Sequence, residues 1–163
     1  TGVFFAGIMV VNGVPKLLEY NVRFGDPECQ TLMMRLESDL VEMLYAAATG
    51  KLDTVKPVWS DNPSLCVVMA AKGYPASYVK NTPIRNLDKA ANINGVVVFH
   101  AGTAEKDGEI VSVGGRVLGV TATANSVAEA RERAYAAVDS LDWPEGFCRR
   151  DIAWRALSSD AAE

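Results

Sequence analysis

Val3-Phe4-Phe5-Ala6-Gly7-Ile8-Met9-Val10-Val11-Asn12-Gly13-Val14-Pro15-Lys16-Leu17-Leu18-Glu19-Tyr20-Asn21 is the stretch whose reading sets the architecture of this chain. Its opening run, residues 3–11, is almost wholly apolar. Asn12-Gly13 follows, and that pair is the strongest short signal for a two-residue hairpin turn, because both residues tolerate positive φ. Residues 16–21 then return as a second strand. Unbroken hydrophobicity in the first arm, in place of alternation, is the pattern of a strand buried on both faces. Thr1-Gly2-Val3-Phe4-Phe5 starts inside that strand pattern and lacks the basic stretch of a signal peptide, so an upstream segment is expected.

Outward from the hairpin, Asp26-Pro27-Glu28 predicts a helix start. Asp caps free helical amides, Pro is tolerated at the first helical position, and Glu favours the positive end of the helix dipole. Cys29, Leu32, Met33 and Leu36 recur on one apolar face at helical spacing. Asp39 and Glu42 stand at capping-box spacing, which predicts a second helix through Leu40, Met43, Leu44 and Ala47 that stops at Gly50. Pro57, Asp61, Asn62 and Pro63 punctuate residues 51–63, where a boundary is expected. Beyond it the pattern turns to short strands at 65–71, 95–100, 109–113 and 116–123, with Lys106-Asp107-Gly108 as a turn between two of them. Ser126 and Glu129 form another capping box, ahead of a longer helix with Val127, Ala130, Ala134, Val138 and Leu141 on its inner side. Trp59, Trp143 and Trp154 are expected to pack between two lobes. The fold class is α+β: a hairpin with helices over residues 1–56, then a small β-rich domain with one long helix over residues 57–163.

Composition narrows the function classes. With 49% hydrophobic and 22% charged residues the chain has the make-up of a folded globular protein, not of a disordered one. A net charge of -4 argues against a nucleic-acid partner and still leaves room for a local basic pocket. No apolar run reaches the roughly 18–20 residues that span a bilayer, so no membrane partner is expected. Cys29, Cys66 and Cys148 are odd in number and lack metal-type spacing, which fits reduced thiols in a cytoplasmic protein.

The densest chemistry lies in Glu19-Tyr20-Asn21-Val22-Arg23-Phe24-Gly25-Asp26-Pro27-Glu28. Glu19, Asn21 and Arg23 alternate at a strand end and so project from one face. Two readings are open. In one, they are a solvated strand edge, Arg23 is a surface ion-pair partner, and Asp26 and Glu28 are helix cap and dipole partner. In the other, a carboxylate and an amide oxygen receive a hard cation such as magnesium, which takes oxygen ligands and keeps waters and substrate phosphates in its shell. A guanidinium two residues on would then meet a phosphate or acyl phosphate with a bidentate fork. Gly114-Gly115-Arg116 likewise reads as a tight turn ahead of a strand, or as a bare backbone that lets a phosphate approach beside Arg116. His100, the only histidine, is a structural residue at a strand end or a substrate contact. Lys72-Gly73-Tyr74-Pro75 reads most simply as a strand exit and turn.

Glu-x-Asn-x-Arg on the last strand before a helix is similar to the metal-binding signature of ATP-grasp enzymes. The longer string from Glu19 to Glu28 resembles the glycinamide ribonucleotide synthetases (phosphoribosylamine–glycine ligases). Further matches follow in the family's order: Ser38-Asp39-Leu40, Val68-Met69-Ala70-Ala71-Lys72-Gly73-Tyr74-Pro75, Phe99-His100-Ala101-Gly102-Thr103, Gly114-Gly115-Arg116-Val117-Leu118 and Phe147-Cys148-Arg149-Arg150-Asp151-Ile152. The resemblance implies the carboxyl-terminal half of an ATP-grasp lobe followed by a C-terminal domain. It implies an ATP-dependent ligase of purine nucleotide biosynthesis that joins phosphoribosylamine to glycine through glycyl phosphate, with Mg2+ or Mn2+ as the metal. Under it Glu19 and Asn21 hold the cation on the ATP phosphates, and Arg23 stabilises the transferring phosphoryl group. Asp26 and Glu28 orient the amine substrate, and Gly114, Gly115 and Arg116 contact the ribose phosphate.

Two departures matter. In the family the glycine-rich lid, the phosphate-binding lysines, the adenine-binding strand and the amino-terminal domain lie upstream of this hairpin, so the chain is expected to be a fragment, inactive alone, whose partner is the amino-terminal part of the same enzyme. Many ATP-grasp enzymes also place a carboxylate on the preceding strand; residues 3–11 hold none, so this segment offers at most two metal ligands. The competing readings are a non-catalytic binding or scaffold domain that reuses the fold, and another ATP-grasp enzyme such as a biotin-dependent carboxylase, which should lack the Phe-Gly-Asp-Pro-Glu continuation.

Overall fold

A computed structural model of the chain describes residues 1–160, with side chains through residue 158. The chain divides into two compact units, Thr1–Ser60 and Asp61–Glu163. The composition change puts the boundary at 56/57, and residues 161–163 of the expected second domain lie outside the described residues.

The first unit opens with the hairpin. β1 (Phe5–Val11) pairs antiparallel with β2 (Val14–Asn21). Asn12 and Gly13 take φ of 51° and 77°, the left-handed pair that a two-residue turn requires to match the twist of its strands. A bulge falls between Gly7 and Ile8. α1 (Glu28–Arg35) and α2 (Leu40–Ala48) follow. α2 is capped as its sequence predicts: Asp39 Oδ1 accepts from the amides of Val41 and Glu42 at 2.7 and 3.2 Å. Gly50 ends it in the left-handed region, φ 70°, and the Lys51 amide reaches back to Ala46 O at 2.8 Å.

Two expectations for this unit are corrected. Asp26 does not cap α1: the helix begins at Glu28 without a side-chain cap. Its first turn is closed by backbone instead, from Cys29 N to Gly25 O at 3.0 Å. Nor is β1 buried on both faces. Ile8, Met9, Val10 and Val11, with Leu17, Leu18 and Tyr20 of β2, are exposed in a sheet of only two strands, and Phe5, Ala6 and Gly7 are half-buried. Ala46 is the one buried apolar side chain of this unit among the described residues.

The second unit runs β3 (Ser64–Ala71), α3 (Leu87–Ala91), β4 (Val96–His100), β5 (Thr103–Lys106), β6 (Glu109–Ser112), β7 (Arg116–Thr123), α4 (Val127–Ser140), β8 (Gly146–Cys148) and α5 (Trp154–Asp160). β4, β7, β3 and β8 form an antiparallel sheet in that order. α4 packs on β3 and β7 through Ala130, Ala134, Ala137 and Val138, residues small enough for a helix to lie close to a sheet. Ser126 Oγ accepts from Glu129 N at 3.2 Å, while Glu129 Oε2 reaches Asn125 N at 3.3 Å, one residue outside the expected box. Val67, Val117, Leu118 and Val120 fill the core. Trp143 packs there too, inside this unit, and its Nε1 donates to Thr82 Oγ1 at 2.8 Å, which in turn lies 2.6 Å from Ser112 Oγ. These buried polar groups are thus paired with one another, as their desolvation demands.

β5, β8, α3 and α5 were not foreseen. β8 has three residues, too few for alternation to register, and β5, Thr103-Ala104-Glu105-Lys106, has no large apolar residue to mark it. β5 pairs with β6 across Asp107 and Gly108, both left-handed.

Candidate functional site

β2 carries the first cluster. Glu19 and Asn21 are two residues apart on one strand, so their side chains leave the same face, as the alternation predicts. Glu19 sits opposite Gly7, and its Cγ lies 3.3 Å from where a Cβ of residue 7 would stand. A bare glycine therefore lets the Glu19 stem lie across β1. Neither Glu19 nor Asn21 is engaged by a side-chain hydrogen bond or ion pair among the described residues. Arg23 lies beyond the end of β2 and donates from Nη1 to Phe24 O at 2.7 Å. It makes no ion pair among the described residues, so the expectation of a surface ion-pair partner does not hold.

Downstream, Glu28 folds back so that its carboxylate covers the α-carbon of buried Gly25. Gln30 Nε2 approaches Asp26 Oδ1 at 3.5 Å, and Gln30 Oε1 is buried without a hydrogen-bond partner. Burial, and then the Asp26 carboxylate, push the Cys29 thiol above its ordinary value. Glu28 over Gly25 and Gln30 beside Asp26 escape a sequence reading, because each depends on how the chain turns at Asp26-Pro27. Among the described residues no three His, Cys, Asp or Glu side chains gather where they could hold a metal ion. The donor set on β2 is one carboxylate and one amide oxygen. That is an incomplete shell, and it fits a hard cation only when phosphates and waters supply the rest. The unit also holds a cavity of about 380 Å³ lined by Phe4, Phe5, Phe24, Leu36, Met43 and Trp59. Such a lining suits apolar chain and offers nothing to a phosphate.

The second cluster gathers at one end of the four-stranded sheet. The Ala71 amide donates to Gly115 O at 2.8 Å, and the amides of Ala101 and Gly102 both reach Val117 O, at 3.0 and 3.1 Å. Val113 N and Gly114 N bond Gly102 O at 2.7 and 3.1 Å. Gly102 and Gly114 touch backbone to backbone, and a Cβ on Gly115 would overlap the Tyr74 ring. The close approach that requires glycine at these positions is thus made by the protein itself. His100 lies opposite Leu118 on β7, its Nδ1 2.9 Å from Thr103 Oγ1. Arg116 is exposed and begins β7 opposite Ala70 of β3.

At the other edge, Arg149 Nε and Nη2 meet both Asp151 oxygens at 2.9 and 2.6 Å and hold that carboxyl below its ordinary value. Among the described residues no helix is long and apolar enough to cross a membrane.

Comparison with known proteins places this geometry. The family model for the phosphoribosylglycinamide synthetase C domain matches residues 64–155, and that for the ATP-grasp (A) domain of the same synthetase matches residues 1–29. A phosphoribosylamine–glycine ligase of Brucella melitensis is 58% identical over 99% of this chain and 38% of its own length. A chloroplastic one of Arabidopsis thaliana is 57% identical over 96% of this chain and 30% of its own. The crystal structure of the Thermotoga maritima ligase superposes with a TM-score of 0.78 at 34% identity, over 91% of this chain and 36% of that one. The chain therefore spans less than half the length of the curated relatives it matches, 38% of the Brucella melitensis and Agrobacterium fabrum ligases. With more than half its residues matched by the C-domain model and the end of the ATP-grasp domain ahead of them, the chain belongs to the phosphoribosylglycinamide synthetase family.

Proposed function

We propose that this chain is the part of an ATP-dependent phosphoribosylamine–glycine ligase of purine nucleotide biosynthesis that supplies cation- and phosphate-facing groups from β2 and a ribose-phosphate contact from the Gly114-Gly115-Arg116 turn. The observation that carries the reading is the end of β2: a carboxylate and an amide oxygen on one face, without competing partners, and a guanidinium two residues further on.

In such a ligase the glycine carboxylate attacks the terminal phosphate of ATP, and the amine of phosphoribosylamine then displaces phosphate from the acyl phosphate. Charge neutralisation and positioning dominate that chemistry. Glu19 and Asn21 would hold Mg2+ or Mn2+, which when bound screens the phosphate oxygens and orients them as a Lewis acid. Arg23 supplies a planar fork for the oxygens of the phosphoryl group in transit, and it can leave Phe24 O to do so because that bond is to an exposed carbonyl. Asp26 and Glu28 are the candidates for the amine substrate, and α1 has no side-chain cap.

The exposed faces of β1 and β2 and the apolar cavity are where the preceding part of the longer enzyme would pack, since each large apolar side chain left in water forgoes about 1.5–3 kcal/mol of burial. The three free thiols fit a reducing compartment, the cytoplasm. The Arabidopsis relative is chloroplastic.

The test is a chimera in which residues 1–163 replace the matching segment of the Brucella melitensis ligase. Glu19→Ala and Asn21→Ala should each lower ligation by about 100-fold. Undiminished turnover in both would remove the cation assignment. A chimera inactive with the unaltered segment, while folded, would favour a non-catalytic domain.

A further inference from the structure

The Lys72-Gly73-Tyr74-Pro75 exit from β3 has no part in the reading above, yet it touches the turn that reading uses. Gly114 and Gly115 have ordinary backbone conformations: neither is among the residues with positive φ. Their need for glycine is therefore one of space. At Gly115 the space is taken by the Tyr74 ring, which lies where a Cβ would be. Tyr74 is itself held from several sides. Its amide donates to Ala71 O at 3.0 Å. Gly73, at φ 99°, folds the exit so tightly that a side chain there would meet Ser77 O. The ring stands edge-on to Tyr78, centroids 6.3 Å apart, and Tyr78 packs on the core. The two loops are also tied by the bond from Ala71 N to Gly115 O, and the β3–β7 register shifts between Met69 and Ala70, where Ala70 faces Arg116.

We propose that Tyr74 is the positioning residue of the Gly114-Gly115-Arg116 turn: its ring, braced on Tyr78, presses on Gly115 and sets the direction in which Arg116 leaves the sheet. The inference rests on the reading that this turn meets the phosphate of the ribosyl amine. Two consecutive glycines are the most permissive backbone available, and a phosphate-binding side chain following them needs an external brace to keep its geometry. A flat ring against a bare α-carbon supplies one. Tyr74 need not touch the substrate for this.

The chimera described above tests it by steady-state kinetics in phosphoribosylamine. Arg116→Ala and Tyr74→Ala should each raise KM for phosphoribosylamine by about tenfold, the loss of a charge-assisted contact, with kcat and KM for ATP little changed. Tyr74→Phe, which keeps the ring, should restore KM. Gly115→Ala should raise KM through overlap with the ring, and adding Tyr74→Ala to it should make matters no worse, since the overlap is then gone. If Tyr74→Ala fails to fold, Gly115→Ala and the Phe variant carry the test alone. A KM unchanged by Tyr74→Ala or Gly115→Ala, beside one raised by Arg116→Ala, overturns the positioning role and leaves the phosphate reading standing. An unchanged KM in Arg116→Ala overturns both. A fall in thermal midpoint with no change in KM marks Tyr74 as structural only and also overturns the proposal.

Discussion

β1, Phe5-Ala6-Gly7-Ile8-Met9-Val10-Val11, and β3, Ser64-Leu65-Cys66-Val67-Val68-Met69-Ala70-Ala71, are alike in apolar content and opposite in environment. β3 has a strand on either side and α4 across one face, and nearly all of it is buried. β1 has one neighbouring strand, its residues Phe5–Gly7 are only half-buried, and Ile8–Val11 are exposed. Hydrophobicity along a strand therefore reports how much burial the strand calls for. Whether burial is achieved depends on what other chain stands next to it.

The sharpest way to break this comparison is to truncate one leucine from each unit. Leu118 is 1% exposed, and Leu118→Ala should cost about 2–5 kcal/mol in urea unfolding followed through buried Trp143. Leu18 is 65% exposed, and Leu18→Ala should stay within about 0.5 kcal/mol of the parent. Equal losses would show that the hairpin is packed after all. A smaller contrast comes from the helix caps. Ser126→Ala and Asp39→Ala should each weaken its helix by about 0.5–2 kcal/mol. In the well-packed second unit this should lower the cooperative midpoint. In the open first unit it should appear as faster hydrogen exchange at Val41 and Glu42, the two amides that Asp39 receives. A drop in global midpoint from Asp39→Ala would contradict the difference in packing.

The smallest effect concerns charge. Hydrogen bonds from Arg149 hold Asp151 below its ordinary value of 3.8. A carboxyl with a lowered folded-state value stabilises fully above its unfolded value and loses that contribution as pH falls through the lowered one. Both groups are exposed, so the second unit should owe little of its stability to them. An NMR titration should place the Asp151 midpoint below 3.8, and Arg149→Ala should return it there. A midpoint unmoved by the substitution would sink the assignment.

The legible parts of the fold were those written in local chemistry. Asn12-Gly13 supplies two residues that accept left-handed φ, Asp39 and Ser126 cap the helices they precede, and Ala130, Ala134 and Val138 mark one face of α4. Asp26 misled because a carboxylate before Pro-Glu has the composition of a cap, whereas α1 begins at Glu28 with no side-chain cap. β5 and β8 were hidden because each is short and exists only through its pairing partner.

The candidate site divides along the same line. Glu19 and Asn21 could be placed on one face from spacing alone, because strand alternation is a property of the backbone. The ordered motifs, likewise, needed only the sequence to point to the family. Tertiary structure alone showed that Arg23 lies past the strand with its fork on Phe24 O, that Glu28 covers Gly25, and that the glycines of the Gly114-Gly115 turn make room for Gly102 and Tyr74. Those facts are contacts set by the path of the backbone, whether the partner is the next residue, as for Arg23, or distant along the chain, as for Tyr74 and Gly115. Residue type limits such contacts, but only the folded path of the backbone selects among them.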